Sequence, residues 1–371
     1  MAVAVEDATV GAVPAAGKFR PSRLGIGGRA LVAAFIVALV LLAPLVLDST
    51  WDRRISLAAI YGIIGLSVNI ITGHAGQISL GHQAFVGIGA FISSYIVTQA
   101  GLGFFFALPL AGVMGGALAL VLGLVALRIR GLYLALITLA FGLMAETTVF
   151  NWRDFTGGGA GAAAPRPSAF QSEQAYAYLC FILLALFLYV DWRLVKSKAG
   201  RAIVSLRNDE RVAATLGVNV TAYKLLAFVT SGMLAGVAGA LFAHRNEFVQ
   251  ALDFQLQTAL VWILMAVVGG LGSRAGVVMG SAFFAIFPFL LPATSFRVPI
   301  LGDVIVQILT PLIGALLLIL TLTLYQGGIG QQLLPLRRWL AGGRFYVRER
   351  HVTLTDETGE ESPKSSSGEK A

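Results

Sequence analysis

The residues of this sequence that could do chemistry are few, and most are neutral. Between Gly65 and Gly89, glycines at 73, 76, 81, 87 and 89 interleave with Asn69, Thr72, His74, Gln77, Ser79, His82 and Gln83. Amide, hydroxyl and imidazole groups spaced by glycine can donate and accept hydrogen bonds without fixed charge, which suits lining a polar path rather than breaking a bond. Other chemistries lack their residues. The four histidines, His74, His82, His244 and His351, include no HExxH, and the first two are eight apart with no carboxylate nearby, so no metal site is expected. The lone cysteine, Cys180, lies inside the apolar run 178–190 and offers no disulfide, CxxC or thiolate cluster. No GxxxxGK[ST] occurs, so the chain has no P-loop of its own, and no cofactor is expected. Glu146, Asp303 and Lys224 fall near the ends of apolar runs, where they read as interfacial groups rather than a proton relay.

A second group of polar residues lies in the segment 191–224, about 34 residues long and too long for a structureless connection. Its stretch 197–207 reads as a short helix, and Asn208 as the N-cap of a second one. Asp209 and Glu210 then occupy the first turn, where negative charge suits the helix dipole; Ala213, Ala214 and Leu216 give a small apolar face, and Gly217 ends the helix. A helix so short needs a surface to pack against. Interfacial helices set large apolar residues opposite lysines. Here the apolar residues are small and acids lead, so the segment reads as a knob for a groove on another protein.

Both groups must be held by a membrane scaffold. The 371 residues are 57% hydrophobic and 12% charged, far from the balance of a soluble domain, and a soluble enzyme is excluded. Apolar runs at 30–47, 55–72, 84–97, 102–127, 132–150, 175–190, 225–243, 257–271, 275–291 and 303–325 predict ten transmembrane helices in an all-α polytopic membrane protein. With ten spans the termini share a side, and 21 of the 27 Lys and Arg residues collect there, which predicts cytoplasmic termini. The net charge of +8 is then a topology signal and a contact with anionic lipid, and no nucleic-acid partner is expected. The first run lacks a clear cleavage site and reads as an uncleaved anchor. The organisation expected is a disordered cytoplasmic segment 1–29, a membrane domain 30–325, and a tail 326–371. That tail opens with basic and aromatic residues suited to an interface and ends in polar disorder.

These residues resemble a family. Gly200-Arg201-Ala202 through Arg207-Asn208-Asp209-Glu210, Ala213-Ala214 and Gly217-Val218, then Lys224-Leu-Leu-Ala-Phe228 and Ala235-Gly-Val-Ala-Gly-Ala-Leu241, are similar to the coupling loop and following span of permeases of branched-chain amino-acid ABC importers. Gly65-Leu-Ser-Val-Asn69, Gly73-His-Ala-Gly-Gln-Ile-Ser-Leu-Gly81 with Ala84-Phe85, Gly131-Leu-Tyr-Leu-Ala-Leu-Ile-Thr-Leu-Ala-Phe141, Thr156-Gly-Gly with Pro165 and Pro167, and Gly269-Gly-Leu-Gly-Ser273 with Gly276 match further parts. The resemblance covers about 55–292, and the motifs are specific as a set rather than singly. The Gly/Ala-rich outer loop and the long polar tail depart from the pattern.

The resemblance implies an ABC importer permease fold in the cell (inner) membrane, working with a second permease subunit, as a rule a different chain. It also implies two cytoplasmic ATPase subunits and an extracytoplasmic substrate-binding protein. Transport would be inward, of branched-chain or other hydrophobic amino acids; related permeases carry urea, amides or aromatic acids. ATP would be hydrolysed by the partners, so the chain itself is expected to be no enzyme. Gly200, Arg201, Arg207, Asn208, Asp209, Glu210, Ala213 and Gly217 would couple to the ATPases. Asn69, Thr72, Gly73, His74, Gln77, Ser79, Gly81 and His82 are the candidate translocation path, as a broken helix at membrane depth. The alternative reading of that stretch is an ordinary inner turn between closely packed helices. The rival function, a self-sufficient facilitator or channel, gives no reason for a docking knob. A membrane enzyme would need a cluster of acids, histidines or metal ligands at one face, and the sequence offers none.

Overall fold

The computed structural model describes residues 48–126 and 131–290, with the isolated positions Pro44 and Leu316. The predicted spans 30–47 and 303–325, and both terminal segments, lie outside this description. Within it the chain is helical: α1 (Ser49–Val68), α2 (His82–Thr98), α3 (Phe104–Ala126), α4 (Leu132–Thr147), α5 (Glu173–Lys196), α6 (Lys198–Asn208), α7 (Glu210–Thr215), α8 (Val220–Asn246), α9 (Leu256–Gly269) and α10 (Arg274–Leu290). A π-helical turn, Asn69–His74, extends α1, and a two-stranded antiparallel ribbon pairs Ala162 with Val249 and Ala163 with Phe248. Among the described residues, five helices are long and apolar enough to cross a membrane, and α9 and α10 are shorter apolar helices.

The centre of the fold is α8, which packs on α2 and α3 through small residues. A Cβ on Gly236 would run into the carbonyl of Ala111, one on Gly232 into that of Gly115, and one on Gly239 into that of Val86. The backbones therefore touch along α8, as small-residue faces allow when no water is available to drive packing. α1 lies against α5, α8 and α10, and buries Ile60, Ile63, Ile64 and Leu66 completely. Phe91, Phe150 and Phe254 close the ribbon end, with ring centroids 5.3 to 5.9 Å apart.

Between α1 and α2 the chain is neither a continuous helix nor a plain turn. After the π turn, 75–81 runs without regular structure, yet Ala75, Gln77, Ser79 and Gly81 are buried. Ser231 donates to the Ser67 carbonyl at 2.7 Å, and His82 Nε2 lies 2.7 Å from Ser67 Oγ, so the start of α2 is level with Ser231. That level is about 16 Å along α8 from Val220, at 1.5 Å per residue. The segment thus turns back from the face carrying α6 and α7 into the body of the bundle. Gly76, at φ +67, makes the reversal beside Arg207.

Candidate functional site

The face carrying α6 and α7 is knitted together by ion pairs. Ser197 caps α6 by accepting the Gly200 N–H at 3.0 Å, and Gly200 lets that helix press on the Leu194 carbonyl at the end of α5. The cap of α7 is Asp209, one residue later than the Asn208 expected from sequence; its Oδ1 accepts the N–H groups of Arg211 at 2.7 Å and Val212 at 3.2 Å. Asn208 still belongs to α6 while Asp209 has extended backbone, and that geometry decides between two equally suitable side chains. Gly217, at φ +81, ends the turn after α7.

Several loop residues face their own bundle. Glu210 is ion-paired with Lys224 at the start of α8, and Gln77 Nε2 donates to Glu210 Oε1 at 3.2 Å. Lys224, read from sequence as an interfacial group, is buried in this pair with the loop. Arg207 donates to the Gly73 carbonyl, and Ala213 is buried. Arg201 stays outside, donating to the Lys196 carbonyl at 2.8 Å. The outward surface of α7 combines exposed Arg211 and Thr215 with Val212, 55% exposed, and is followed by Leu216, 78% exposed.

Behind this loop stands a second knot. Asp191, 0% exposed at the end of α5, is ion-paired with Arg274 of α10, and its Oδ1 lies 3.2 Å from His74 Nε2. Asn69 lies 3.3 Å from the same histidine nitrogen, and its Oδ1 accepts the Gly272 N–H at 2.7 Å. One carboxylate and one amide thereby join the π turn, α5 and the α9–α10 turn. Nothing local in the sequence marked Asp191 as buried.

Deeper in the bundle the polar residues are less well served. Thr72 donates to the Gln77 carbonyl at 3.2 Å, and Thr138 of α4 accepts the Leu80 N–H at 3.0 Å. Ser79 Oγ, His82 Nδ1 and both amide atoms of Gln83 are buried without hydrogen-bond partners. Each such group costs about 1–3 kcal/mol relative to a satisfied one. Of the eight candidate path residues, the structure brings Asn69, Gly73, His74 and Gln77 to the loop-side knots and places Ser79, Gly81 and His82 at this deeper corner. Thr72 is half-buried and the others are buried.

The opposite face carries a network that sequence reasoning missed. Arg166 pairs with Glu173 at 2.9 Å and Glu247 at 3.3 Å, donates to the carbonyls of Arg245 at 2.7 Å and His244 at 3.3 Å, and lies over the Tyr176 ring. His244 Nδ1 is 2.8 Å from the Pro165 carbonyl, and its Nε2 is 2.9 Å from Ser93 Oγ. Arg245 donates to the Arg53 carbonyl at 2.6 Å. The readable signal was a His-Arg pair ending an apolar run opposite a loop that contains an arginine. Among the described residues no group of His, Cys, Asp and Glu could hold a metal ion.

A polytopic helical bundle with a polar re-entrant corner and a braced loop at one face is a transport scaffold. The chain belongs to the family of permease components of branched-chain amino acid transport systems, whose pattern matches residues 52–322. It is 33% identical over 284 residues to the high-affinity branched-chain amino acid transport system permease protein LivM of Salmonella typhimurium, covering 67% of each chain. The LivM of Escherichia coli is also 33% identical, over 68% of this chain and 67% of that one. The autoinducer 2 import system permease protein LsrC of Klebsiella pneumoniae is 30% identical over 51% of this chain and 54% of that one. A solved structure, PsaBC from Streptococcus pneumoniae in complex with Fab, aligns with TM-score 0.40 and 15% identity over 82% of this chain and 99% of that one. The protein is a multi-pass membrane protein and a transport component.

Proposed function

We propose that this chain is a permease subunit of an ATP-binding-cassette importer that carries branched-chain amino acids into the cell. Two cytoplasmic ATPases would supply the energy, an extracytoplasmic binding protein would deliver the solute, and a second permease would complete the path. The observation that carries the reading is α7. It is capped by Asp209, braced from behind by Glu210 with Lys224 and Gln77, and turns Val212 and Leu216 outward. A rigid knob that presents exposed apolar residues and is backed by an ion pair is what a docking element requires, since its shape is set before the partner arrives. In this reading the face bearing α6 and α7 is cytoplasmic. Closure of the ATPases pulls α7, and the pull reaches α8 through Glu210–Lys224 and the π turn through Gln77 and Arg207. Such rearrangement between packed helices is a recognised form of alternating access.

The test is co-purification with candidate ATPases from neighbouring reading frames. Leu216→Asp and Val212→Asp are expected to lower ATPase recovery at least tenfold without changing the elution of the permease itself. Equal recovery with both variants would overturn the docking assignment.

A further inference from the structure

The buried polar atoms without partners are not spread evenly. Among the described residues, Ser79, His82 and Gln83 contribute four of them within five positions, while every other residue with such an atom stands alone in sequence. His82 and Gln83 are 0% exposed and Ser79 is 1% exposed. Packing alone gives no reason to keep an amide there, because a leucine would fill similar space at no polar cost.

The donors and acceptors at this corner can be assigned. Ser67 has one hydroxyl hydrogen, and it goes to the Ile64 carbonyl at 2.6 Å. The 2.7 Å contact with His82 therefore uses Ser67 Oγ as acceptor, which puts the imidazole hydrogen on Nε2 and leaves Nδ1 as a lone-pair acceptor. Gln83 adds an acceptor, Oε1, and a donor, Nε2. Ser79 adds a hydroxyl, and the N-terminus of α2 adds the positive end of a helix dipole. Two acceptors, two donors and a positive dipole within five residues of chain carry the chemistry that complements a group that is itself both ammonium and carboxylate.

The geometry points to a binding site, formed by Ser79, His82 and Gln83, for the head group common to α-amino acids. The ammonium is received by His82 Nδ1 and Gln83 Oε1, and the carboxylate by Gln83 Nε2, Ser79 and the start of α2. The identity of the solute rests on the proposed function; the site rests on the unpaired atoms. Its cover is α4. A Cβ on Gly142 would meet the Gln83 amide, and one on Gly81 would meet the Thr138 carbonyl, so α4 lies directly over the corner. This helix is less embedded than α1, α3 or α8, although α5 is less embedded still. Displacement of α4 uncovers the site.

The experiment uses the full importer, with its ATPases, second permease and binding protein, in proteoliposomes containing ATP and radiolabelled leucine, isoleucine or valine. Gln83→Leu is expected to lower the maximal uptake rate at least tenfold for all three solutes alike, because the head group is shared. Gln83→Met, which keeps the length of the side chain, serves if the leucine variant does not assemble. Uptake at the unaltered rate by an assembled variant with a raised melting temperature would show a buried amide or an ordered water only, and would overturn the site. A loss skewed toward one solute would place Gln83 against a side chain and overturn the head-group assignment. Absence of ATP-dependent uptake by the unaltered complex would instead overturn the proposed function, and the solute assignment with it.

Discussion

Asp191 and Arg274, 83 positions apart, form an ion pair in which the carboxylate is wholly buried while the guanidinium keeps partial access to solvent. The same carboxylate reaches His74, so a single acid at the end of α5 ties down both α10 and the π turn. Removing one member of such a pair strands the other, which costs more than replacing both. Asp191→Leu is expected to destabilise the protein by about 3 kcal/mol, whereas Asp191→Leu with Arg274→Met recovers much of that loss. Thermal unfolding of the purified variants in detergent, analysed as a double-mutant cycle, measures it.

Glu210 and Lys224 make a charge-exchange experiment possible. Glu210→Lys sets two ammonium groups against each other behind α7, and leucine uptake per ATP hydrolysed should fall at least fivefold. Glu210→Lys combined with Lys224→Glu restores the attraction and should return most of the coupling. Unchanged stoichiometry in the single variant would show that the brace does not transmit force.

Close approach of backbones makes the α2–α4 corner sensitive to one methyl group. Gly81→Ala places a Cβ against the Thr138 carbonyl, and overpacking of this kind costs about 1–3 kcal/mol. Lower recovery of monodisperse protein and a reduced melting temperature are the expected results.

Arg166 is the tie between the 157–170 loop and the end of α8. Arg166→Ala removes two carboxylate partners, two carbonyl contacts to α8 and a cation–π contact at once. Limited proteolysis of the detergent-solubilised protein is expected to cut between Gly157 and Ser168 at least tenfold faster than in the unaltered chain. A cleavage rate equal to that of the unaltered chain would mean that the ribbon with Phe248 and Val249 suffices to hold the loop.

Much of this architecture was written in apolar run length. The runs 55–72, 102–127, 132–150, 175–190 and 225–243 coincide with long helices because only apolar side chains can tile such a stretch without loops. The small residues Gly232, Gly236 and Gly239 are spaced to fall on one side of α8, the side on which it packs. The loop helices were legible from caps and a terminal glycine, with an error of one residue at Asp209. What could not be read were partners distant in sequence. Gln77 with Glu210, Asp191 with Arg274 and Arg166 with Glu247 are joined by the fold, and no local pattern around any of these residues names its partner. Glu146 shows the same limit: its carboxylate accepts the Leu256 N–H at the start of α9, a partner 110 positions away that the sequence could not name. The re-entrant course of 75–81 was half visible, because glycine-rich polar sequence permits a broken helix and an ordinary turn alike, and only Ser231 and Ser67 fix its depth.

The unbroken course of α8 has a mechanical meaning. It runs about 40 Å at 1.5 Å per residue, is clamped at one extremity through Lys224 and at the other through the carbonyls of His244 and Arg245, and contains no proline between them. Held at both extremities, the helix gives Lys224 and the loop held by Arg166 one continuous connection, with Ser231-Gly232 as the place where a bend would have to form. The two surfaces of the protein are thereby joined by a single unbroken helix.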